Sequence, residues 1–271
     1  MPAETDRAAI RTRLLADPAW SVYALGDLAP GLFEHTTWRV AEHDGALLMI
    51  YAGLGTPVLF AIGSAERVGP LLDELDGQHS LYLLVKPEIL PLIHARYAVS
   101  HQTPMWRMLL NPAHFSRPHA PAQRLSMADY PALLRLHADG APTGEAPDFF
   151  APYMVEQGVF YGLYEAAELV AAAGTHIVAP AEGVAAVGNV YTRRDRRGRG
   201  LARQVTGAVT AELLERLPAG AVIALNVIQA NAPALAVYQR LGYTTYCGFF
   251  EGVAEPLEGR GASGIIPNAL G

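Results

Sequence analysis

The chain of 271 residues lacks the features that mark secreted and membrane-spanning proteins. It has one cysteine, Cys247, so it cannot form an internal disulfide, which suits a reducing compartment. No apolar run reaches the roughly 18–20 residues that a membrane-spanning helix needs. The charged residues 1–7 lack the apolar core of a signal peptide. These absences favour a cytoplasmic protein that does not enter a membrane.

The net charge disfavours a nucleic-acid-binding protein, and the histidine pattern disfavours a metal-binding protein. The formal net charge is −6 at pH 7, and the arginine-rich part of the chain is one short local segment. A protein that coats nucleic acid needs positive charge over a large surface, so we expect no nucleic-acid partner. The 9 histidines show no spacing typical of a metal site, so we expect no metal.

One segment combines glycines, arginines and a change from strand to helix. An apolar run over residues 184–192 predicts a strand, and apolar residues at every fourth position from Leu201 to Leu217 predict a helix. Residues 193–200, Arg-Arg-Asp-Arg-Arg-Gly-Arg-Gly, lie between them. The first N–H groups of a helix lack partners and carry partial positive charge, and glycine lets an anion approach the backbone. Because guanidinium groups complement phosphate oxygens, we expect a phosphate or diphosphate ligand here.

Three kinds of phosphate-binding turn can be compared with this segment. The P-loop of nucleotide hydrolases requires Gly-Lys-Ser/Thr, which this segment lacks. The dinucleotide-binding turn requires a third Gly or Ala where this chain has Arg203. The pattern Arg/Gln-x-x-Gly-x-Gly/Ala is matched by Arg197, Gly200 and Ala202. In this pattern the segment resembles the diphosphate-binding turn of the GNAT superfamily of N-acetyltransferases.

A second segment carries the same resemblance. Asn231 is a favourable helix N-cap, and Gly242 fits the left-handed position that follows a helix. With Ala234, Tyr238 and Tyr243 they resemble the GNAT signature Asn-x-x-Ala-x-x-x-Tyr-x-x-x-Gly-Phe/Tyr. The two motifs occur in the order that the family shows, with an apolar strand over residues 221–227 between them.

The resemblance implies acetyl-CoA as co-substrate and a set of site residues. In the family, the glycine turn holds the diphosphate, and the preceding strand bonds to the pantetheine arm and the thioester carbonyl through its backbone. Carried onto this sequence, the cofactor-binding residues are Val190, Tyr191, Thr192, Arg197, Gly198, Arg199, Gly200, Leu201, Ala202, Asn231 and Tyr238. Tyr238 is also implied as the general acid that protonates the leaving thiolate. The alternative is a buried aromatic side chain that packs its helix on the sheet.

The sequence leaves the proton acceptor open. An amine has a pKa of about 10 in water, so it must lose a proton before it attacks a thioester. His176, on the strand before residues 184–192, is the first candidate for the base, and a structural, hydrogen-bonded histidine is the alternative. Glu145 and Asp148 could bind a cationic amine, and solvated surface groups or a helix cap are the alternative. Glu251 is a similar candidate, and a water relay is equally compatible as the proton acceptor.

The order of predicted elements repeats along the chain. Each half reads strand, strand, strand, helix, strand, helix, strand, and a helix is expected over residues 6–16. Residues 105–110 and 244–250 are expected to close the two halves as their last strands. We therefore expect an α/β fold with a mixed sheet, built from two tandem GNAT-like domains at residues 1–117 and 118–271.

The first of these domains is expected to have lost the cofactor. Its equivalent turn, at residues 62–68, has a single glycine, and Glu66 stands where a phosphate would lie. Tandem members of the superfamily with one silent half are known, and the chain resembles them over nearly its whole length.

The reaction expected from this resemblance is transfer of acetyl from acetyl-CoA to a primary amine by direct attack in a ternary complex. The amine would belong to a small molecule, an amino acid or a peptide. One alternative is an N-acyltransferase that uses longer acyl-CoAs with a glycine-type acceptor, and another is a non-catalytic acyl-CoA sensor. The sequence is compatible with a homodimer and does not fix the oligomeric state.

Overall fold

The computed structural model describes residues 4–41, 45–53, 55–75, 77, 79–147 and 149–257. Within these ranges the chain has a mixed α/β fold. Its strands are β1 Thr36–Val40, β2 Leu47–Tyr51, β3 Val58–Ile62, β4 Leu81–Val85, β5 Tyr97–Leu110, β6 Gln123–Arg124, β7 Tyr161–Glu165, β8 Glu168–Ala179, β9 Val184–Thr192, β10 Val222–Ile228 and β11 Tyr243–Pro256. Its helices are α1 Arg7–Leu14, α2 Val22–Gly26, α3 Ala65–Asp73, α4 Leu90–His94, α5 Tyr130–Ala138, α6 Pro152–Gln157, α7 Leu201–Arg216 and α8 Ala232–Leu241.

Contacts between residues divide the chain into two compact units, each assembled from distant segments. Unit 1 comprises the described residues of Met1–Asp6, His35–Pro104 and Phe249–Gly271. Unit 2 comprises Arg7–Glu34 and Met105–Gly248. Each compact unit contains segments from both sides of the predicted domain boundary between residues 117 and 118 or is interrupted by the other unit. That boundary therefore stays a prediction from the repeated order of elements.

Unit 1 contains a sheet in the order β1-β2-β3-β4-β11. β3 and β4 are parallel and are connected by α3, whereas the other neighbouring strands are antiparallel. The core of this unit contains Leu48, Leu59, Val68, Leu71, Leu83 and Ile93. A strand that leads through a helix into a parallel neighbour is the connection that the sequence predicted for both halves.

Unit 2 contains a sheet in the order β5-β10-β9-β8-β7-β6. Here β9 and β10 are parallel and are connected by α7, and the other neighbours are antiparallel. Side chains alternate across β8, so Ala171 and Ala173 join one core cluster with α7 and α8. Ala172 joins a second cluster with α5 and α6. The helices of unit 2 therefore cover both faces of its sheet.

The burial pattern of α7 confirms the helix that the four-residue repeat predicted. Val205, Val209 and Leu213 recur every four residues and are each 0% exposed. They pack against apolar residues of β9 and β10 in the first core cluster. This packing fixes the bend before α7 at the end of β9.

The expected last strands of the two halves pair differently from the prediction. Residues 105–109 of β5 pair with β10 in unit 2 and do not close the first half. Residues 243–248 of β11 belong to unit 2, whereas residues 250–254 of the same strand pair with β4 in unit 1. Both strands have 14 residues, about 46 Å at about 3.3 Å per residue, so each is long enough to contribute to both units.

The helix predicted over residues 6–16 is present as α1, but it belongs to unit 2 together with α2, which was not predicted. Arg107 of β5 explains this placement. Its buried guanidinium donates to the carbonyl oxygens of Ala19 and Trp20, at 3.1 and 3.2 Å. It also lies over the rings of Trp20 and Tyr23, 5.3 and 5.1 Å from their centroids. Because a buried cation needs such partners, Arg107 fixes this segment on the sheet of unit 2.

Candidate active site

β9 and β10 separate half-way along their length. Parallel pairing joins residues 184–187 of β9 to residues 222–225 of β10, and no further pair between them is formed in the described part of the chain. Beyond this point Asn189 has a φ of 50°, in the left-handed region, and the pairing of β8 with β9 is irregular. Backbone groups of β9 beyond Val187 are therefore free of β10, and such groups require other hydrogen-bond partners.

The bend between β9 and α7 is open. Gly198 and Gly200 have φ values of 79° and 76°, and a Cβ added to either would meet nothing within 4 Å. The first helical hydrogen bond here runs from the N–H of Gln204 to the carbonyl oxygen of Gly200, at 3.2 Å. Among the described residues, the N–H groups of residues 198–203 donate to no backbone or side-chain oxygen. The bend therefore presents unpartnered donors at a helix N-terminus, which is the geometry of an anion site.

Carboxylates surround the arginines of this segment, which the sequence did not predict. Arg193 pairs with Glu168 and Asp195, Arg194 with Asp139, Arg196 with Glu165 and Asp195, Arg197 with Glu145, and Arg199 with Glu165. Arg203 instead donates to the Ser116 hydroxyl, at 3.0 Å. Exposed ion pairs of this kind contribute little free energy, so a phosphate can replace a carboxylate as the partner of an arginine at a small cost in free energy.

Arg197, which directly precedes the open glycines, forms an ion pair with Glu145. Two guanidinium nitrogens donate to the two carboxylate oxygens, at 2.9 and 3.1 Å, and Nε donates to the carbonyl oxygen of Thr192 at 3.2 Å. The guanidinium also lies 5.6 Å from the ring centroid of Tyr191. Hydrogen bonding from Arg197 holds the pKa of Glu145 below its usual value. Glu145, one of the acids considered for binding a cationic amine, is thus ionised and paired with Arg197 at the bend.

The second motif forms a capped helix. The side-chain oxygen of Asn231 accepts the N–H of Ala234 at 3.1 Å, so Asn231 is the N-cap of α8. Gly242 follows the helix with a φ of 101°, and a Cβ there would lie 2.7 Å from the carbonyl oxygen of His114. The predicted cap and terminating glycine are therefore confirmed as elements of local structure.

Tyr238 lies on the inner side of α8. Its side chain is 7% exposed and packs edge-on against Tyr243, with ring centroids 6.2 Å apart. Val190 and Leu201, from β9 and the start of α7, belong to the same apolar cluster. Burial raises the pKa of Tyr238 to about 12, so its hydroxyl keeps the proton at neutral pH. The structure thus brings three of the predicted site residues together on the α7 face of the sheet.

His176 lies on the opposite face, beside α2. Its Nδ1 is 3.2 Å from the hydroxyl oxygen of Tyr23, and a Cβ added to Gly188 would lie 2.4 Å from its ring. Burial lowers the pKa of His176 to about 4, and a hydrogen bond with Asn189 opposes this shift. The imidazole is therefore neutral at pH 7 and is a weak proton acceptor. Tyr23 was missed because 153 residues separate it from His176 along the chain.

The two other acids named from the sequence are not part of this arrangement. Glu251 lies in unit 1, where its carboxylate accepts the hydroxyl of Tyr82 at 3.0 Å. Asp148 lies outside the described residues. In the described part of the chain, no group of three or more His, Cys, Asp or Glu side chains is arranged to hold a metal ion.

Comparison with known proteins identifies the segment that carries both motifs. Residues 123–243 match the model of the acetyltransferase (GNAT) family. This segment belongs to the GNAT family. It contains the β9–β10 gap, the open bend and α8, so the two motifs lie within one acetyltransferase domain. The GNAT domain makes the chain an acyltransferase, which moves an acyl group from acyl-CoA to an acceptor.

Solved structures show the same fold over most of the chain. A GNAT-family protein from Novosphingobium aromaticivorans is 23% identical, with a TM-score of 0.61, and the match covers 87% of this chain and 96% of that one. A GCN5-related N-acetyltransferase from Kribbella flavida is 18% identical, with a TM-score of 0.61 and coverage of 89% and 96%. A tandem GNAT protein from the clavulanic acid biosynthesis pathway is 17% identical, with a TM-score of 0.56 and coverage of 96% and 97%. The fold is therefore that of tandem GNAT proteins.

No curated protein matches the sequence. Among the described helices, none is long and apolar enough to span a bilayer.

Proposed function

We propose that the chain is an N-acetyltransferase that transfers acetyl from acetyl-CoA to a primary amine by direct attack in a ternary complex. The open bend at residues 197–200 is the observation that supports this best. Its unpartnered N–H groups and the empty space above Gly198 and Gly200 fit a diphosphate. Arg197, Arg199, Leu201 and Ala202 complete the proposed diphosphate site.

The gap between β9 and β10 would hold the pantetheine arm and the thioester. The backbone of Val190, Tyr191 and Thr192 follows the point where pairing with β10 ends, so those of its groups that β8 and Arg197 do not occupy are available to a ligand. Amide groups of pantetheine supply the missing hydrogen bonds, and a backbone N–H of β9 polarises the thioester carbonyl. Asn231 contributes by fixing the start of α8.

Tyr238 is proposed as the general acid. A hydroxyl with a pKa of about 12 retains its proton at neutral pH and donates it when a thiolate forms. Tyr238 shares its apolar cluster with Val190 and Leu201, so it lies on the side from which the coenzyme would enter. His176, with a pKa of about 4, is better suited to orient Tyr23 than to remove a proton.

A thiol-release assay tests this function. Acetyl-CoA and propionyl-CoA would each be supplied with a panel of primary amines, amino acids and short peptides. We expect thiol release that depends on an amine and is faster with acetyl-CoA. Preference for a longer acyl-CoA with glycine would favour the acyltransferase alternative. Tight acetyl-CoA binding in calorimetry without turnover on any amine would favour the non-catalytic sensor.

A further inference from the structure

Asp27 is a buried carboxylate that has no partner in the described part of the chain. It continues α2 with helical φ and ψ of −69° and −8°, and its side chain is 8% exposed. No hydrogen bond or ion pair between described residues reaches its carboxylate. Burying such a group without a partner destabilises a fold, so its presence requires an explanation.

Asp27 follows a helix that packs on β8 and β9, and β9 borders the gap. The N–H of Asp27 donates to the carbonyl oxygen of Tyr23 at 2.9 Å, so the two residues are one helical turn apart and share a face. Gly26 packs on β8, where an added Cβ would lie 2.3 Å from Ile177. Tyr23 extends to Arg107 of β5, 5.1 Å from its ring. The packing of α2 on β8 and β9 puts the face with Tyr23 and Asp27 beside the edge of the gap.

The groups around this face supply no counter-ion to Asp27. The titratable and charged side chains on elements that pack against α2 are Arg7, Arg11 and Arg13 of α1, Arg107 of β5, Glu168 and His176 of β8, and Tyr191 of β9. The three arginines of α1 contact the Phe33 ring, Glu182 and a carbonyl oxygen of α1. Tyr191 donates to Asp139. Burial alone raises the pKa of Asp27, to about 7.

We propose that Asp27 binds the ammonium group of the acceptor amine and accepts its proton, so that a helix from the N-terminal segment completes the acceptor site of the GNAT domain. This inference rests on the proposed N-acetyl transfer. A cavity next to Asp27 begins at Gly26 and is lined by both apolar and polar residues, among them Leu32, Met154, Gln157 and His176. The acceptors that fit are therefore small primary amines whose substituent is partly apolar and partly polar.

Asp27 and Tyr238 together account for every proton that moves in the transfer step. The acceptor binds as an ammonium ion, and Asp27 takes one proton to leave a neutral amine. The nitrogen lone pair forms the C–N bond, the C–S bond breaks, and sulfur keeps the electron pair. The thiolate takes a proton from Tyr238, which regains one from the second N–H of the attacking nitrogen. Asp27 then releases its proton to water, so the products are the amide, the thiol of coenzyme A and one proton.

Replacement of Asp27 by Asn tests the proposal. We expect kcat/KM for the best amine to fall by about 100-fold or more in Asp27→Asn, because general-base catalysis is lost. Affinity for acetyl-CoA in calorimetry should not change, and Asp27→Glu should recover part of the activity. The wild-type kcat/KM should rise with pH through about 7, as the carboxylate ionises, and this inflection should be missing in Asp27→Asn. Glu34→Gln, which removes one negative charge from the same segment, is the control and should behave as wild type.

Two outcomes separate failure of this inference from failure of the proposed function. Turnover of Asp27→Asn within threefold of wild type, with the same inflection, overturns the role of Asp27 and leaves N-acetyl transfer intact. If the wild-type enzyme releases no thiol with any amine, binding of n-pentylamine in the presence of CoA is measured by calorimetry. Binding that is lost in Asp27→Asn supports the amine site, and equal binding or no binding overturns it.

Thermal unfolding gives a readout that is independent of activity. The folded pKa of Asp27 lies above the ordinary value of 3.8, so the native state binds its proton more tightly than the unfolded chain does. Stability is therefore lost as the pH rises from about 4 to about 7, and Asp27→Asn escapes this loss. The Tm advantage of Asp27→Asn should grow over that interval. An advantage that does not grow contradicts a buried, unpaired carboxylate and overturns the proposal.

Discussion

The two units contain the same strand-bend-helix connection, and only the bend in unit 2 is open. In unit 1 the bend follows β3, and a Cβ added to Gly63 would lie 2.7 Å from the Cβ of Ala46. The carbonyl oxygen of Ser64 accepts the N–H groups of Arg67 and Val68, both at 3.0 Å. In unit 2 a Cβ at Gly198 or Gly200 would meet nothing within 4 Å.

The comparison shows that topology alone does not make an anion site. Both bends join parallel strands through a helix, but the bend of unit 1 is filled by its own core, and Glu66 lies in the first turn of α3. An acidic residue in that turn satisfies the helix N-terminus and repels a phosphate. The silent state proposed for the first half is consistent with both features.

The largest expected effect comes from placing a negative charge in the open bend. Gly200→Asp should weaken acetyl-CoA binding by at least about 100-fold in calorimetry, because a carboxylate there repels the diphosphate. Gly220→Asp is the matched control, since Gly220 also has a positive φ, 83°, with nothing within 4 Å of an added Cβ. Unchanged affinity in Gly200→Asp would remove the proposed site from this bend.

Replacement of the proposed general acid, Tyr238, should give the second-largest effect, a loss of turnover. Tyr238→Phe removes a hydroxyl and keeps the ring that packs on Tyr243. We expect kcat to fall by about 100-fold while the dissociation constant of acetyl-CoA stays within about twofold. An unchanged kcat would assign Tyr238 a purely structural role.

A substitution in the closed bend of unit 1 should lower the stability of the fold and leave acetyl-CoA binding unchanged. Gly63→Ala forces a Cβ against Ala46 at a φ of 117°, so we expect a loss of about 1–3 kcal/mol in the free energy of unfolding, measured with urea. Acetyl-CoA affinity should be unchanged. Gly198→Ala is the comparison in unit 2, and its loss should be smaller because no atom lies within 4 Å. Equal losses at both positions would contradict the difference in packing.

The smallest expected effect concerns the ion pair at the open bend. Glu145→Gln frees Arg197 and removes a negative charge near the proposed diphosphate, so acetyl-CoA affinity should rise about two- to fivefold. The gain should shrink at high salt, because both partners are substantially exposed. Glu212→Gln, which breaks a pair with Arg124 elsewhere in unit 2, should leave affinity unchanged. A lower affinity in Glu145→Gln would show that the pair supports the bend.

Much of the candidate site could be predicted because its signals are local. The four-residue repeat of α7, the glycines before it and the cap at Asn231 each depend on residues a few positions apart. Ionic partners could not be predicted in this way, since Asp139 reaches Arg194 across 55 residues. The open state of one bend and the closed state of the other depend on neighbours such as Ala46, which only packing supplies.

By itself, the sequence determined where the bend lies, that it carries bare glycines, and which helix follows it, because steric and hydrogen-bonding preferences of adjacent residues fix such features. Tertiary structure alone decided that β5 and β11 each contribute to both units and that α2 lies on the sheet of unit 2. It also decided that Asp27 is buried with no partner among the described residues. Burial and strand pairing join residues far apart in the chain, and no local pattern encodes which distant surface will cover a side chain.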